Sequence, residues 1–353
     1  MTPLTLPSPG EPAPWFKAVT PSSPEFVFDS AGGRHVLMLF LPLSPEPRVA
    51  ALRALAARQA LIDPARLAAF IVVRDPETAA QAKDMRGLRW FLDESGEITR
   101  LFGAEETPYW LALDPTLRVL AHAPIDAPEP LFEALVASLA PADAEASTAP
   151  VLVAPRVFEP ELCRALIALH QAGGGGTFTG VMRDQGEVTV AVMDDLKRRR
   201  DVLVKDETLR HAIRDRLERR LFPFIARAFG TDARHIERYL VSCYDADDGG
   251  VFHAHRDNTT FETAHRKFAC SINLNADFEG GDLRFPEFGS RTYRPTLGGA
   301  VVFACGLMHE ARPVTSGRRY AFLPFLYDDA GATMRAAYEA RIAGRTDPTR
   351  PEP

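Results

Sequence analysis

The sequence predicts a protein of two domains, an α/β domain followed by a mainly-β domain with flanking helices. The chain has 353 residues, about twice what a typical domain needs at 100–200 residues each. In the first half, short apolar runs alternate with helical patterns, which is typical of an α/β layer fold. In the second half, helical patterns come first and many short strand-like runs follow. That order favours a β-sandwich or barrel of the jelly-roll type.

The first domain is predicted from an alternation of strands and helices. A helical pattern at 47–62 lies between the first two strands, and another covers 131–139. The strand-like runs are HVLMLFL (35–41), LAAFIVV (67–73), YWLALD (109–114) and LRVLAHA (117–123). At 140–150 the sequence APADAEASTAP has the small residues and prolines of a linker. The predicted domains are therefore 1–147 and 148–353.

The second domain begins with helical patterns at 159–171 and 206–229, separated by a break at Gly173–Gly176. Its strand-like runs are YLVSCYD (239–245), FACSINLN (268–275), GGDLRFP (280–286), AVVFACG (300–306) and RYAFLPFLY (319–327). These runs place the β-core at about 236–327.

Composition argues against two classes of partner. The formal net charge is −6, and Lys+Arg against Asp+Glu is 12 to 19 in residues 1–150 and 29 to 28 in the remainder, so neither half is suited to a phosphate backbone. The basic run 197–200 is followed by Asp201, and we interpret it as a solvated face. No segment reaches the ~20 apolar residues of a membrane span. We expect a soluble, cytoplasmic protein that binds neither nucleic acid nor membrane.

The four cysteines, Cys163, Cys243, Cys270 and Cys305, all lie in the second half, without the close spacing of a zinc or redox pair. Because disulfides are rare in the cytoplasm, we expect free and mostly buried thiols.

A metal site is indicated by FHAHRDN (252–258), where His253, His255 and Asp257 occupy alternate positions and share a face if the chain is extended. His309, after a later strand, is the candidate for a distant ligand. His255, Asp257 and His309 would form the facial triad of non-haem Fe(II) oxygenases. The set of His253, His255 and His309 would instead suit catalytic zinc.

Arg319 favours the iron site. It stands ten residues after His309, at the start of the strand RYAFLPF. A guanidinium near the metal binds a carboxylate with two hydrogen bonds, as an oxo-acid co-substrate would require. By strand alternation, the adjacent Arg318 should face the other way.

An HxD motif, a distant histidine and an arginine ten residues further on resemble the 2-oxoglutarate-dependent dioxygenases. The prolyl 4-hydroxylase-like branch is especially similar, through the patterns CYDADDGGVFHAHRDN, EGGDLRFPEFG and HEARPVTSGRRYAF. This resemblance, over 236–327, implies a double-stranded β-helix, Fe(II) on His255, Asp257 and His309, and 2-oxoglutarate on Arg319. It further implies O2 as co-substrate and ascorbate as reductant. The implied reaction hydroxylates an unactivated C–H bond of a protein, amino acid or small molecule, releasing succinate and CO2.

The resemblance also bears on other residues of this region. Tyr244 matches a position where relatives hydrogen-bond the co-substrate, whereas Asn273 stands where some relatives have a hydroxyl. His253 has no counterpart in the signature, so we expect a supporting role. His265 and Arg266 lie near the predicted site mouth, and whether they or His253 contact substrate is open. The pair Gly280 and Gly281 indicates a bulge or tight turn.

The first domain resembles the thioredoxin superfamily, especially the peroxiredoxins. The similar segments are GEPAPWF, HVLMLFLPL, FIVVRDPETAAQAKD and FLDESGEITRLFGAEETPYWLALDPTLRV. A peroxiredoxin needs a cysteine of low pKa after the first central strand, but residues 1–150 contain no cysteine. The corresponding Thr and Cys positions fall on Glu46 and Val49. We therefore expect a module that docks a protein partner and has no peroxidase activity.

Two other functions remain open from the sequence. One is a zinc hydrolase that uses the three histidines. The other is a non-catalytic adaptor that senses iron or 2-oxoglutarate and docks a partner through the thioredoxin-like domain.

Overall fold

The computed structural model describes residues 6–139, 148–186 and 188–343. The chain divides into two compact units, residues 1–147 with 286–289, and residues 148–285 with 290–353. Most of the predicted linker at 140–150 lies outside the described residues. No helix in the described part of the chain is long and apolar enough to cross a membrane.

The first unit is an α/β layer structure. Its strands are β1 (Lys17–Thr20), β2 (Ser23–Val27), β3 (His35–Phe40), β4 (Leu67–Val73), β5 (Leu88–Leu92), β6 (Tyr109–Leu113) and β7 (Val119–Pro124). Its helices are α1 (Pro45–Ala56), α2 (Pro76–Ala80), α3 (Glu97–Leu101) and α4 (Glu129–Leu139), with 3-10 turns at Phe28–Ala31 and Gln59–Leu61. The four predicted strands are present, whereas β1, β2 and β5 were not predicted.

The central sheet of the first unit has the strand order β5-β4-β3-β6-β7. Strand β4 runs parallel to β3 and β5, and β6 runs antiparallel to β3 and β7. All residues of β4 are buried, as expected where both faces of a sheet are covered. In β3, Val36 and Met38 join one apolar cluster while Leu37 and Leu39 join another. The two faces of the sheet thus have separate cores.

The second unit begins with helices and continues with strands. Its helices are α5 (Pro160–Ala172), α6 (Glu207–Arg216), α7 (Phe222–Phe229) and α8 (Asp329–Ala343), with a π-helical turn at Leu217–Leu221 and a 3-10 turn at Pro286–Phe288 that is grouped with the first unit. Its first strands are β8 (Leu152–Ala154), β9 (Thr177–Phe178), β10 (Val181–Gln185), β11 (Val188–Val192), β12 (Lys197–Arg198), β13 (Arg200–Leu203), β14 (His235–Ile236), β15 (Leu240–Asp245) and β16 (Val251–His255). The remaining strands are β17 (Phe268–Asn273), β18 (Phe278–Gly280), β19 (Leu283–Arg284), β20 (Thr292–Tyr293), β21 (Ala300–Ala304), β22 (His309–Ala311), β23 (Val314–Phe322) and β24 (Phe325–Tyr327).

Most of these strands form two antiparallel sheets. The larger sheet follows the order β14-β24-β17-β23-β15-β13-β9, with β18 beside β23, β21 beside β17 and β8 beside β21. The smaller sheet has the order β12-β16-β22-β19-β20, and β10 and β11 form a separate two-stranded sheet. Val241 and Cys243 of β15 and Phe322 of β23 lie in an apolar cluster with residues of α5 and α6. Because side chains alternate along a strand, Tyr244 and Arg319 face away from that cluster.

The interpretation of residues 197–200 as a solvated face is wrong. Lys197 is 8% exposed and Arg199 is 4% exposed, because the run lies in and between two strands, β12 and β13, whose alternation turns these two side chains inward. Arg199 donates two hydrogen bonds to the Asp201 carboxylate, at 2.7 and 2.8 Å. Arg198 and Arg200 keep part of their surface in solvent. The buried positive charge is thus paired within the fold.

The prediction for the cysteines is confirmed. All four are free and buried. Burial raises the pKa of Cys163 and of Cys243 to about 11, and it also raises the pKa of Cys270 and Cys305. None of these thiols is therefore a thiolate at neutral pH.

Candidate metal centre

Two neighbouring strands of the smaller sheet bring three ionisable side chains together. His255 ends β16 and His309 begins β22, and the two residues are partners across this antiparallel pair. Their ring centroids lie 4.3 Å apart. Asp257 follows β16 by two residues, and one ligand atom from each of the three side chains lies within 4.8 Å of the others. This spacing suits the coordination of one small cation.

Hydrogen bonds fix the orientation of both imidazole rings. His255 Nδ1 lies 2.7 Å from the carbonyl oxygen of His253, and His309 Nδ1 lies 3.0 Å from that of Leu307. A carbonyl only accepts, so each Nδ1 carries the proton and a neutral ring has its lone pair on Nε2. The Nε2 atoms of His255 and His309 lie 3.5 and 3.2 Å from the carboxylate oxygens of Asp257. Three lone-pair donors therefore converge, an arrangement that fits a divalent metal.

The electrostatics of the cluster agree with this fit. Burial raises the pKa of Asp257, but His309 and His255 outweigh it and hold that pKa well below its usual range. Burial and the neighbouring His309 lower the pKa of His255. A carboxylate beside a neutral imidazole is the protonation state that a divalent metal requires of its ligands.

His253 does not join this cluster. The pairing of β16 with β22 shifts register between Phe252 and His255, so strict alternation fails and the side chain of His253 is exposed. His253 contributes to the site through its backbone carbonyl, which accepts a hydrogen bond from His255 Nδ1. The expectation that His253, His255 and Asp257 share one face is wrong for this reason. Among the described residues, the three-histidine set is not assembled.

Arg319 lies in the interior of the second unit and is only 2% exposed. Its Nε donates to Asn273 Oδ1 at 3.1 Å and its Nη2 donates to Ser271 Oγ at 2.7 Å. Arg318 has 57% of its side chain exposed and pairs with Asp245 at 2.6 Å. The predicted orientation of this strand is confirmed. Ser271, two residues before Asn273 on β17, was missed by the sequence analysis.

Tyr244 and Arg319 are partners across β15 and β23, and the Arg319 guanidinium lies 5.3 Å from the Tyr244 ring. The Tyr244 hydroxyl accepts a hydrogen bond from Arg199 Nη1 at 3.3 Å. Arg199 was missed because its run was interpreted as solvated. Lys197, Arg199 and Asp201 occupy alternate positions and are all buried. This alternation with a carboxylate was the signal in the sequence that could have identified Arg199.

His265 and Arg266 are buried against Glu237. Arg266 donates to both carboxylate oxygens of Glu237 at 2.6 Å, and His265 Nε2 lies 3.1 Å from one of them. Arg266 Nη1 also donates to the backbone carbonyl of Asp257 at 3.2 Å. In this structure both residues support the loop that carries Asp257.

A cavity of about 50 Å³ extends from the triad to Arg319. Its lining comes from the smaller sheet through His255 and His309 and from the larger sheet through Tyr244 and Arg319. Two further cations, Arg199 and Arg238, also line the cavity. A metal on the triad and a carboxylate on Arg319 would share this one cavity.

Residues 239–327 match the family model of the 2OG-Fe(II) oxygenase superfamily. The C-terminal region of this chain thus contains a 2OG-Fe(II) oxygenase domain. Fe(II), 2-oxoglutarate and O2 are the cofactor and co-substrates that this family implies. The match includes the triad, Tyr244 and Arg319.

The relatives found by sequence are PKHD-type hydroxylases from Synechococcus sp. strains JA-2-3B'a(2-13) and JA-3-3Ab. Each is 28% identical over 93 residues, which is 24% of this chain and 41% of the relative. This chain therefore spans less than half the length of the curated relatives it matches.

Similar solved structures include a prolyl-4-hydroxylase from Pseudomonas putida, at 18% identity and a TM-score of 0.39, covering 51% of this chain and 93% of that one. Another is a structure from Chlorobium tepidum assigned as a thiol:disulfide interchange protein, DsbE. Its identity is 20% and its TM-score 0.33, with 38% of this chain and 99% of that one covered.

Proposed function

We propose that this chain is an Fe(II)- and 2-oxoglutarate-dependent dioxygenase that hydroxylates an unactivated C–H bond. The observation that carries the proposal is the buried cluster of His255, Asp257 and His309, whose lone pairs converge in the same cavity as Arg319. Two imidazoles and one carboxylate leave coordination positions open for co-substrate and O2.

Each residue has a defined task in this proposal. His255, Asp257 and His309 hold the metal, and Arg319, positioned by Ser271 and Asn273, binds the far carboxylate of 2-oxoglutarate. Tyr244 lies across the strand pair from Arg319 and contacts the same co-substrate. When bound by His255, Asp257 and His309, Fe(II) would activate O2, the oxidant; one oxygen atom would enter the substrate as a hydroxyl group and the other would enter succinate as 2-oxoglutarate loses CO2.

The remaining features complete the proposal. The two antiparallel sheets on either side of the site form a double-stranded β-helix, or jelly roll. Ascorbate keeps the iron reduced, and the cysteine-free first unit docks a protein partner in the cytoplasm. The substrate is a protein side chain, an amino acid or a small molecule.

The test uses the purified full chain with Fe(II), 2-oxoglutarate and ascorbate in air, and measures succinate release and bound iron. His255→Ala, Asp257→Ala and His309→Ala should each lower both by at least tenfold, because each removes one ligand. His253→Ala, which keeps the backbone carbonyl, is the matched control and should retain both. Loss of iron in His253→Ala with retention in Asp257→Ala would refute the assignment of the triad.

Two outcomes identify the other functions. Hydrolysis of a substrate that is restored by Zn²⁺ and not by Fe(II) would indicate a hydrolase. Saturable binding of 2-oxoglutarate without succinate in any substrate screen would indicate an adaptor. Mass spectrometry of a cell extract incubated with the loaded protein then identifies the component that gains an oxygen atom.

A further inference from the structure

Arg238 is a cation of the metal cavity that the proposed reaction does not use. It lies between β14 and β15, and its side chain lines the cavity together with His255, Asp257 and Arg319. Its guanidinium carbon stands 4.4 Å from the centre of the Phe325 ring, which lines the same cavity. Arg238 is thus placed beside the reacting centre on an apolar support.

Arg238 has no anionic partner among the described residues. Its Nε atom is buried and makes no hydrogen bond. The adjacent Glu237 is not available, because Arg266 binds both of its carboxylate oxygens. The carboxylate near Arg199 is likewise occupied, since Asp201 accepts two hydrogen bonds from Arg199. A buried donor without a partner is costly, and a ligand that accepts from it removes that cost.

The charges around the cavity favour an anion at this position. Asp201 neutralises Arg199, and Asp257 neutralises one of the two positive charges of Fe(II). The two carboxylates of 2-oxoglutarate then offset Arg319 and the remaining charge of the metal. Arg238 is a lining cation that forms no direct ion pair with any described residue, and Glu237 and Asp201 act on it only from a distance. Burial and the charges of Arg266 and Arg199 lower its pKa to about 10, so it remains charged at neutral pH in surroundings that are already positive.

We propose that Arg238 binds a carboxylate of the primary substrate, which makes that substrate a small free carboxylic acid. The inference rests on the proposed function and narrows its substrate class. Because Arg238 and the triad line the same cavity, the carboxylate and the reacting C–H bond belong to the same short stretch of one molecule. A residue inside a polypeptide has no backbone charge to offer at that distance and would need an Asp or Glu side chain to supply one, whereas every small free acid carries a carboxylate.

The test compares acids with their neutral amides on the full chain loaded with Fe(II). The probe pairs are butyrate with butyramide, phenylacetate with phenylacetamide, and proline with prolinamide. Binding is measured by calorimetry without O2, at saturating 2-oxoglutarate so that Arg319 is already occupied. At least one acid should bind tenfold or more tightly than its amide, and that acid should stimulate succinate release when O2 is admitted.

Variants of Arg238 test whether this residue causes the preference for an acid over its amide. Arg238→Gln should weaken binding of the preferred acid by at least tenfold, to the level of its amide, while Arg238→Lys should keep part of the preference through its charge. Arg318→Gln, an exposed arginine of the same unit, is the control and should bind the acid as the wild type does. Iron content measured for each variant shows whether the triad is intact.

The outcomes separate this inference from the proposed function. If the wild type releases no Fe(II)-dependent succinate, either from 2-oxoglutarate alone or with any probe acid present, the proposed function fails. If succinate is released but acids and amides bind equally, or no acid binds, only the role of Arg238 is refuted. A preference that survives in Arg238→Gln with full iron content also refutes it.

Discussion

At the scale of single residues, the environment of Arg319 explains why it suits a ligand carboxylate. Its two hydrogen-bond partners, Ser271 and Asn273, are neutral. Burial lowers the pKa of Arg319 below its usual value. A buried guanidinium held by neutral acceptors is preorganised for a bidentate anion.

We therefore predict that Arg319→Ala raises the 2-oxoglutarate concentration for half-maximal succinate release by at least about tenfold, since ~1.4 kcal/mol corresponds to that factor. Hydrogen bonds to charged groups contribute about 1.5–3 kcal/mol. Arg319→Lys should recover part of the loss. Iron affinity is measured in parallel and should stay near the wild-type value, because Arg319 is not a ligand.

Arg318→Ala is the control for this prediction, because Arg318 is exposed, pairs with Asp245 and is not among the residues that line the cavity. It should match the wild type in the 2-oxoglutarate titration. If Arg318→Ala raises the 2-oxoglutarate requirement and Arg319→Ala does not, then the side chains of β23 that face the cavity are those one residue away from the ones assigned here.

The residues that sequence spacing predicted are those tied to short local patterns. His255 and Asp257 are two residues apart, and His309 and Arg319 are ten residues apart. Arg199, Arg238 and Ser271 were missed, because their contribution depends on which distant strands become neighbours. Burial of a basic run is decided by the strands that pair with it, here β16 beside β12 and β15 beside β13, and charge composition alone carries no sign of it.

At the scale of elements, the turn after β18 makes room for Arg319. The pairing of β18 with β23 shifts register next to Gly280, so the predicted bulge is confirmed. Gly281 has a φ of +69°, and a Cβ added there would lie 2.9 Å from Val314 Cγ2 and 3.0 Å from Arg319 Cδ. Glycine is thus required at this position for both its backbone conformation and its lack of a side chain.

We predict that Gly281→Ala lowers the free energy of unfolding and raises the 2-oxoglutarate requirement, because Arg319 must shift. Gly174→Ala is the matched control. Gly174 has a similar φ of +74°, but no atom lies within 4 Å of its added Cβ. Both variants should lose about 1–2 kcal/mol through backbone strain. Urea unfolding and a 2-oxoglutarate titration check this, and an equal change of the co-substrate requirement in both variants would contradict it.

Elements were predicted from sequence where the hydrophobic pattern was strong. The fully buried β4 and the runs that became β3, β6, β17 and β21 are long apolar segments, which indicate strands without further information. The hairpin of β10 and β11 was missed, because its residues are mostly half-buried or exposed. The bulge in β16 was missed as well, since an extra residue in one strand leaves no periodic trace.

At the scale of the whole molecule, thiol chemistry and metal chemistry can be separated experimentally. Residues 1–150 contain no cysteine, and the four thiols of the second unit are buried. We predict that the full chain, with a chelator and a thiol reductant, consumes hydrogen peroxide no faster than a blank without protein. The chelator prevents iron from reacting with peroxide. A saturable catalytic rate would show that one of these thiols is reactive after all.

Acid stability connects one buried carboxylate to the unfolding of the whole second unit. Burial raises the pKa of Glu237, but His265 and Arg266 outweigh it and lower that pKa from 4.5 to about 2. A carboxylate with a depressed pKa stabilises the folded state fully above its unfolded pKa, and this contribution disappears as the pH falls through the folded value. The window is therefore about pH 4.5 to 2, and the shift corresponds to on the order of 3 kcal/mol.

We predict that Glu237→Gln lowers the free energy of unfolding at pH 7 and flattens its decline between pH 5 and 3. Urea unfolding of the metal-free full chain measures this, so that loss of metal does not contribute. All three tryptophans, Trp15, Trp90 and Trp110, belong to the first unit, so fluorescence reports that unit while circular dichroism reports both. Only the dichroism transition of the second unit should change.

Glu339→Gln is the control, because Glu339 is 60% exposed and surface pairs contribute little. An unchanged pH dependence in Glu237→Gln would show that another buried carboxylate dominates the acid unfolding of the second unit.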